Sequence, residues 1–202
     1  HPELDESPFL NDEQASRYRG VTGGLNWILT LGQFDIAYAT STMCRFNLQP
    51  RETHMKMVQR ILGYLKQYHK GKLIFDTSYM DHSNVEFKDN DWREMYPDAE
   101  EEVPHDIPTP KGKAVELTVY VDADHTHDKV TRRSVTGIIV NGNKTPLKFM
   151  PKRQKTVETS TYGSELVVTK IAVELVMGMK YQLRMLSVNI KSSAVMLGDN
   201  IS

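Results

Sequence analysis

Three acids stand out by type and spacing: Asp122, Glu165 and Asp199, set 43 and 34 residues apart. Asp122 follows Leu117, Val119 and Val121, which alternate with Thr118 and Tyr120; this is a strand pattern whose last residue is Asp122. Asp199 follows the short apolar run 194–197 in the same manner. Glu165 lies three residues before Val168 in a helical pattern, so it falls on the helix face that packs against a sheet. An acid in such a place is partly desolvated and requires a cation or a hydrogen-bond donor. If the first and last strands are parallel neighbours, both aspartates leave the sheet at one edge, and the helix brings Glu165 to them. Three carboxylates in one small volume repel each other; divalent cations relieve the repulsion, and oxygen-only ligands select Mg²⁺ or Mn²⁺. Two such ions about 4 Å apart suit in-line displacement at a phosphodiester, one activating water and the other stabilising the leaving oxygen.

Charge distribution adds a partner. The formal net charge is −1, yet 129–155 holds eight Lys and Arg and no acid, whereas 81–107 holds ten acids against Lys88 and Arg93. A basic block of that purity beside an acidic strand end fits a polyanion held near a metal site. The acids of 81–107 lack calcium-loop spacing and read as a solvated surface stretch. Two rival readings of the first strand end are weighed here. Tyr120-Val121-Asp122 approaches a polymerase Tyr-x-Asp-Asp hairpin, but Ala123 separates the aspartates. A zinc cluster of Asp122, Asp124, His125, His127 and Asp128 lacks both a cysteine and a helical pair of histidines.

The elements that must carry these residues follow from periodicity and punctuation. Residues 1–17 read as a tail. A helical unit is placed at 18–75; the amphipathic segments are 14–31, which begins within the tail, 36–46 (capped by Asp35) and 51–70 (stopped by Gly71), and 73–75 reads as a short strand. Residues 76–110 form an acidic, proline-punctuated linker. From 111 onward the order is β-β-β-α-β, with a first strand of about seven residues ending at Asp122, further strands at 134–140, 146–150 and 194–197 and a helix at 162–186 capped by Ser160 or Thr161. Residues 141–144 make a hairpin turn. The helix stripe is Val168, Ile171, Leu175, Met179, Leu183 and Leu186, and the last crossover is expected to be right-handed. The fold class is α/β, a mixed sheet preceded by a small helical unit. No apolar run approaches the roughly 18 residues of a membrane span. The single cysteine, Cys44, excludes an intrachain disulfide, fits a reducing compartment and reads as buried filler.

Several motifs together resemble one family. Tyr-Val-Asp-Ala-Asp at 120–124, Arg-Arg-Ser-Val-Thr-Gly at 132–137, Lys-Arg-Gln-Lys-Thr-Val at 152–157, Ser-Thr-Tyr-Gly-Ser-Glu at 160–165 and Gly-Asp-Asn at 198–200 resemble the ribonuclease H domain of Ty1/copia-type retrotransposon polyproteins. Tyr-Arg-Gly-Val-Thr-Gly-Gly-Leu at 18–25, Phe-Asp-Ile-Ala-Tyr-Ala at 34–39, Arg45-Phe46 and Arg-Ile-Leu-Gly-Tyr-Leu-Lys at 60–66 resemble the segment joining reverse transcriptase to ribonuclease H in that family. The resemblance implies a ribonuclease H-like mixed sheet, truncated before its last strand, and a metal-dependent endonuclease. It would cut the RNA strand of RNA–DNA hybrids during reverse transcription and leave a 3′-hydroxyl and a 5′-phosphate.

By position in these motifs, Asp122, Glu165 and Asp199 would be the catalytic, metal-binding carboxylates holding two Mg²⁺ ions, with Mn²⁺ as substitute. A fourth metal-site position would lie beyond Ser202. Arg132, Arg133, Lys152, Arg153 and Lys155 would contact hybrid phosphates, on charge and placement. Implied partners are the hybrid and the upstream reverse transcriptase domain of the same polyprotein, with no membrane. The implied setting is intracellular, a cytoplasmic virus-like particle with a nuclear stage. Integrase-like sites place their glutamate last, whereas here it is second. A rival from another class is a hybrid-binding module or decayed relic that keeps the fold without turnover, and a third is a structural αβ domain whose acids do not converge.

Overall fold

A computed structural model describes residues 1–86, 94–98, 101, 103–191 and 193–199. Asn200 of the last motif and much of the acidic stretch, 87–93, 99–100 and 102, lie outside the described residues.

The first part is helical: α1 Asp12–Thr30, α2 Ala37–Cys44 and α3 Glu52–Gln67. Asn11 caps α1 by accepting from the Gln14 N–H, and the Gln14 side chain returns the bond to the Asn11 N–H. The expected helix cap at Asp35 is not there. Asp35 sits in a 3₁₀ turn, Phe34–Ile36, and accepts instead from the Tyr64 hydroxyl at 2.7 Å and the Gln33 amide at 2.6 Å. Tyr18, Leu25, Ile36, Met43, Val58 and Ile61 pack together as the core of this unit. The Tyr18 hydroxyl donates to the Met43 carbonyl at 2.8 Å, which satisfies a phenol with no solvent access.

Residues before α1 are docked on this unit. Phe9 forms a bridge with Arg51, the Leu10 N–H donates to the Pro50 carbonyl at 3.0 Å, and His54 Nε2 lies 3.0 Å from the Pro2 carbonyl. The expected strand at 73–75 is absent. Ile74 and Phe75 are exposed, and the chain is held one residue later, where the Asp76 N–H donates to Thr145 Oγ1 and that hydroxyl donates to the Asp76 carbonyl.

The second part contains β1 Lys111–Val115, β2 Leu117–Asp124, β3 Val135–Gly142, β4 Thr145–Arg153, α4 Thr161–Met185, β5 Val188–Ile190 and β6 Val195–Gly198. Four strands form a sheet in the order β4-β3-β2-β6, antiparallel except for the parallel pair β2–β6. A separate parallel pair, β1–β5, was not expected from the sequence; Lys111-Gly112-Lys113 carries no strand signal of its own. The hairpin turn is tighter than 141–144. Only Asn143 and Lys144 lie between the strands, with Asn143 at φ +54°, a conformation Asn tolerates.

Leu117, Val119, Val121 and Ala123 of β2 point to one face and bury against Ile138, Val140, Val168, Ala172 and Val176. The centre of the α4 stripe is therefore 164, 168, 172 and 176, spaced by four, with Ile171, Leu175, Met179 and Leu183 at its flank. Leu186, expected in the stripe, lies past the helix end and is 73% exposed. Cys44 is half-buried rather than buried; its sulfur accepts from Asn26 at 3.2 Å, and desolvation pushes its thiol pKa up.

Candidate metal centre

β2 runs two residues beyond Asp122, through Asp124, so Asp122 is inside the strand rather than its last residue. On its other side lies β6, in parallel register with Val121 opposite Gly198. The next step of that register brings Asp122 beside Asp199.

α4 supplies the third acid. Ser160 caps the helix by accepting from the Gly163 N–H at 3.1 Å. The first turn is then fastened to the sheet: buried Gln154 donates through its amide to the Ser164 carbonyl at 3.0 Å and to Thr136 Oγ1 at 3.2 Å. Ser164 Oγ donates to the Thr161 carbonyl and lies 3.3 Å from His125 Nδ1. These bonds fix the backbone one residue before Glu165.

One carboxylate oxygen from each of Asp122, Glu165 and Asp199 lies within 4.8 Å of the others. Asp122 and Asp199 are exposed and Glu165 is half-buried, and among the described residues neither aspartate has an ion pair or side-chain hydrogen bond. An all-oxygen set open on one side fits a hard divalent cation such as Mg²⁺ or Mn²⁺ and is a poor match for zinc.

The local zinc set does not converge. His127 Nδ1 bonds Asp124 at 2.5 Å and its Nε2 bonds the Tyr38 hydroxyl of α2 at 2.8 Å, while Asp128 is engaged by Arg45 and Arg153. Desolvation is the largest influence on the Tyr38 hydroxyl and raises its pKa. A cavity of about 350 Å³ opens beside Asp122 and Asp124, walled by Tyr38, Tyr120, Gly137 and Phe149.

Of the basic residues singled out by the sequence, Arg132, Lys152 and Lys155 are exposed and Arg133 is half-exposed. Arg153 is different, since its guanidinium lies 2.5 Å from the Asp128 carboxylate. Sequence alone gives Asp128 only a place in the rejected zinc set, and it gives Arg45, Gln154 and Ser164 no supporting role. Asp128 sits among other acids and histidines in a polar loop, and Arg45 is 83 residues from it, so no local pattern pairs them.

The mixed α/β architecture, with parallel and antiparallel strands in one sheet and an acid group at the parallel pair, is compatible with a ribonuclease H-like fold. The chain's homologues are retrotransposon proteins. It is 27% identical over 150 residues to the Retrovirus-related Pol polyprotein from transposon RE1 of Arabidopsis thaliana, a match covering 74% of this chain and 8% of that protein. It is 32% identical over 85 residues to the Putative transposon Ty5-1 protein of Saccharomyces cerevisiae, covering 39% of this chain and 27% of that protein. The chain thus spans less than a third of the length of either relative. No family model and no solved structure matches it. Among the described residues no helix is long and apolar enough to cross a membrane.

Proposed function

We propose that this chain is the ribonuclease H-like part of a retrotransposon Pol polyprotein, a metal-dependent endonuclease that hydrolyses the RNA strand of RNA–DNA hybrids during reverse transcription. The observation that carries the reading is the approach of Asp122, Glu165 and Asp199, each offering an oxygen within 4.8 Å of the others. Asp122, Glu165 and Asp199 would hold two Mg²⁺ ions, or Mn²⁺ in their place, whose positive charge would make water nucleophilic and stabilise the leaving 3′-oxygen.

The protein's part is placement. Asp122 and Asp199 are held by adjacent strands, so their separation varies little, and Glu165 is fixed by the fastening of the α4 first turn through Gln154. Without cations the three carboxylates repel a phosphodiester, and with them the same group attracts it. Arg132, Lys152 and Lys155 are exposed and suited to hold duplex phosphates on either side of the cut. The hybrid and the upstream reverse transcriptase of the same polyprotein are the proposed partners, in a cytoplasmic virus-like particle with a nuclear stage.

The test is cleavage of an end-labelled RNA–DNA hybrid with and without Mg²⁺, using the whole protein that carries this chain. Magnesium-dependent cutting of the RNA strand that is lost in Asp122→Asn supports the reading. Unchanged cutting in Asp122→Asn overturns it. Salt-sensitive hybrid binding without cleavage in Mg²⁺ or Mn²⁺ favours a hybrid-binding module instead.

A further inference from the structure

Asp128 belongs to no part of the metal group, yet among the described residues it is the most enclosed acid, with 1% of its surface exposed. Its Oδ1 accepts from the N–H groups of Val130 at 3.1 Å and Thr131 at 2.9 Å. Its Oδ2 receives two guanidinium groups, those of Arg45 and Arg153. The backbone closes the same turn, with the Arg132 N–H donating to the Asp128 carbonyl at 2.8 Å and the Asp128 N–H to the Arg133 carbonyl at 3.1 Å. Arg132 takes φ +58° to allow this, a left-handed conformation that a side-chain-bearing residue keeps only when its surroundings require it. Residues 128–133 are therefore wound around one buried negative charge.

The two cations come from different parts of the molecule. Arg45 follows the end of α2 in the helical unit and also pairs with Glu3 at 3.0 Å, whereas Arg153 ends β4 in the sheet. Glu3, Arg45, Asp128 and Arg153 alternate in sign across the junction of helical unit and sheet. A buried carboxylate is tolerable because two charge-assisted bonds and two N–H groups replace its water. Lys129 and Arg132, on the same turn, point their charge to solvent.

We infer that Asp128 is a positioning residue for the nucleic-acid surface: it shapes the basic turn 128–133 for phosphate contact and, through Arg45, locks that turn to the helical unit. The inference rests on the reading of the chain as a hybrid nuclease. Asp128 itself is too enclosed to touch a duplex. A turn folded in advance loses little conformational freedom when it meets phosphates, whereas a loose loop carrying the same charges loses much more. Arg153 is accordingly part of the support and not one of the phosphate contacts.

The test uses two variants, Asp128→Asn and Arg45→Met, and two measurements. Affinity for a fluorescent RNA–DNA hybrid is measured in EDTA across a salt series, and trypsin digestion is followed at Lys129, Arg132 and Arg133. In Asp128→Asn the hybrid Kd rises about tenfold while the salt slope stays unchanged, because the phosphate contacts are the same in number but cost more to order. Trypsin cuts the turn first in this variant and spares it in the wild type. Arg45→Met moves both readouts in the same direction. In the whole protein Asp128→Asn raises KM and leaves kcat at saturating hybrid, a split that general loss of folding would not produce. Wild-type hybrid affinity in both variants overturns the inference even if the nuclease reading stands. A wild type that binds no hybrid overturns the nuclease reading, and this inference with it.

Discussion

Val121 and Gly198 are register partners in the parallel pair β2–β6, and the residue that follows each is an aspartate. This single pairing delivers Asp122 and Asp199 to one place from positions 77 residues apart in the chain. A slip of one residue would send one carboxylate to the opposite face of the sheet, since side chains alternate with a period of two. The site depends on register before it depends on any ligand.

The first prediction concerns that group. Mg²⁺ that binds only the folded chain stabilises it by about 2.7 kcal/mol at a hundredfold excess over its Kd. A rise in melting temperature with added Mg²⁺ is expected in the wild type and is expected to vanish in Asp122→Asn. Relief of carboxylate repulsion raises the metal-free melting temperature of that variant slightly. Differential scanning calorimetry with and without Mg²⁺ measures both effects.

The second separates core from surface on α4. Val168 is fully buried under β2, so Val168→Ala leaves a cavity and costs about 2 kcal/mol. Leu186 lies past the helix end, mostly exposed, and Leu186→Ala stays within about 0.5 kcal/mol of the wild type. Urea denaturation of both decides; equal losses would mean that the stripe runs through 186 after all.

The third is a pH dependence. Burial by itself raises the Asp128 carboxyl pKa, but the Thr131 N–H and the Arg153 and Arg45 guanidinium groups outweigh it and hold that pKa well below the ordinary range. A lowered folded-state pKa contributes stability that is fully present above the unfolded value of about 3.9 and is lost as pH falls through the folded value. Wild-type unfolding free energy should therefore fall more steeply below pH 4 than that of Asp128→Asn. Parallel slopes in denaturant titrations from pH 6 to pH 2.5 would contradict the assignment.

The fourth distinguishes two arginines. Arg132→Ala removes an exposed charge, weakens hybrid binding and lowers the salt slope by about 1. Arg153→Ala leaves Asp128 with one cation fewer in a buried site, so its main effect is on stability, with the melting temperature falling by several degrees. Fluorescence anisotropy across a salt series together with thermal melts tells them apart.

Much of this was legible in the letters alone. The alternation of Leu117, Val119 and Val121, the helix capped by Ser160 and the apolar run before Gly198 define β2, α4 and β6 by local periodicity, and each carries one acid: Asp122 inside β2, Glu165 in the first turn of α4 and Asp199 just past β6. The short pair β1–β5 was not legible because its stability comes from bonds to a partner about 75 residues away, such as the Lys111 N–H to the Ser187 carbonyl, and not from its own residues. The role of Asp35 is not legible in the sequence for a similar reason: a carboxylate near a helix start is a capping candidate until a tyrosine from another helix claims it.

The sequence by itself determined which acids could meet, because strand and helix periods are properties of neighbouring residues. Only the tertiary structure decided that Asp128 is a buried junction and that Arg153 belongs to it. Electrostatic partners are chosen by distance through space, and Arg45, Asp128 and Arg153 become neighbours only after the helical unit and the sheet have closed on one another.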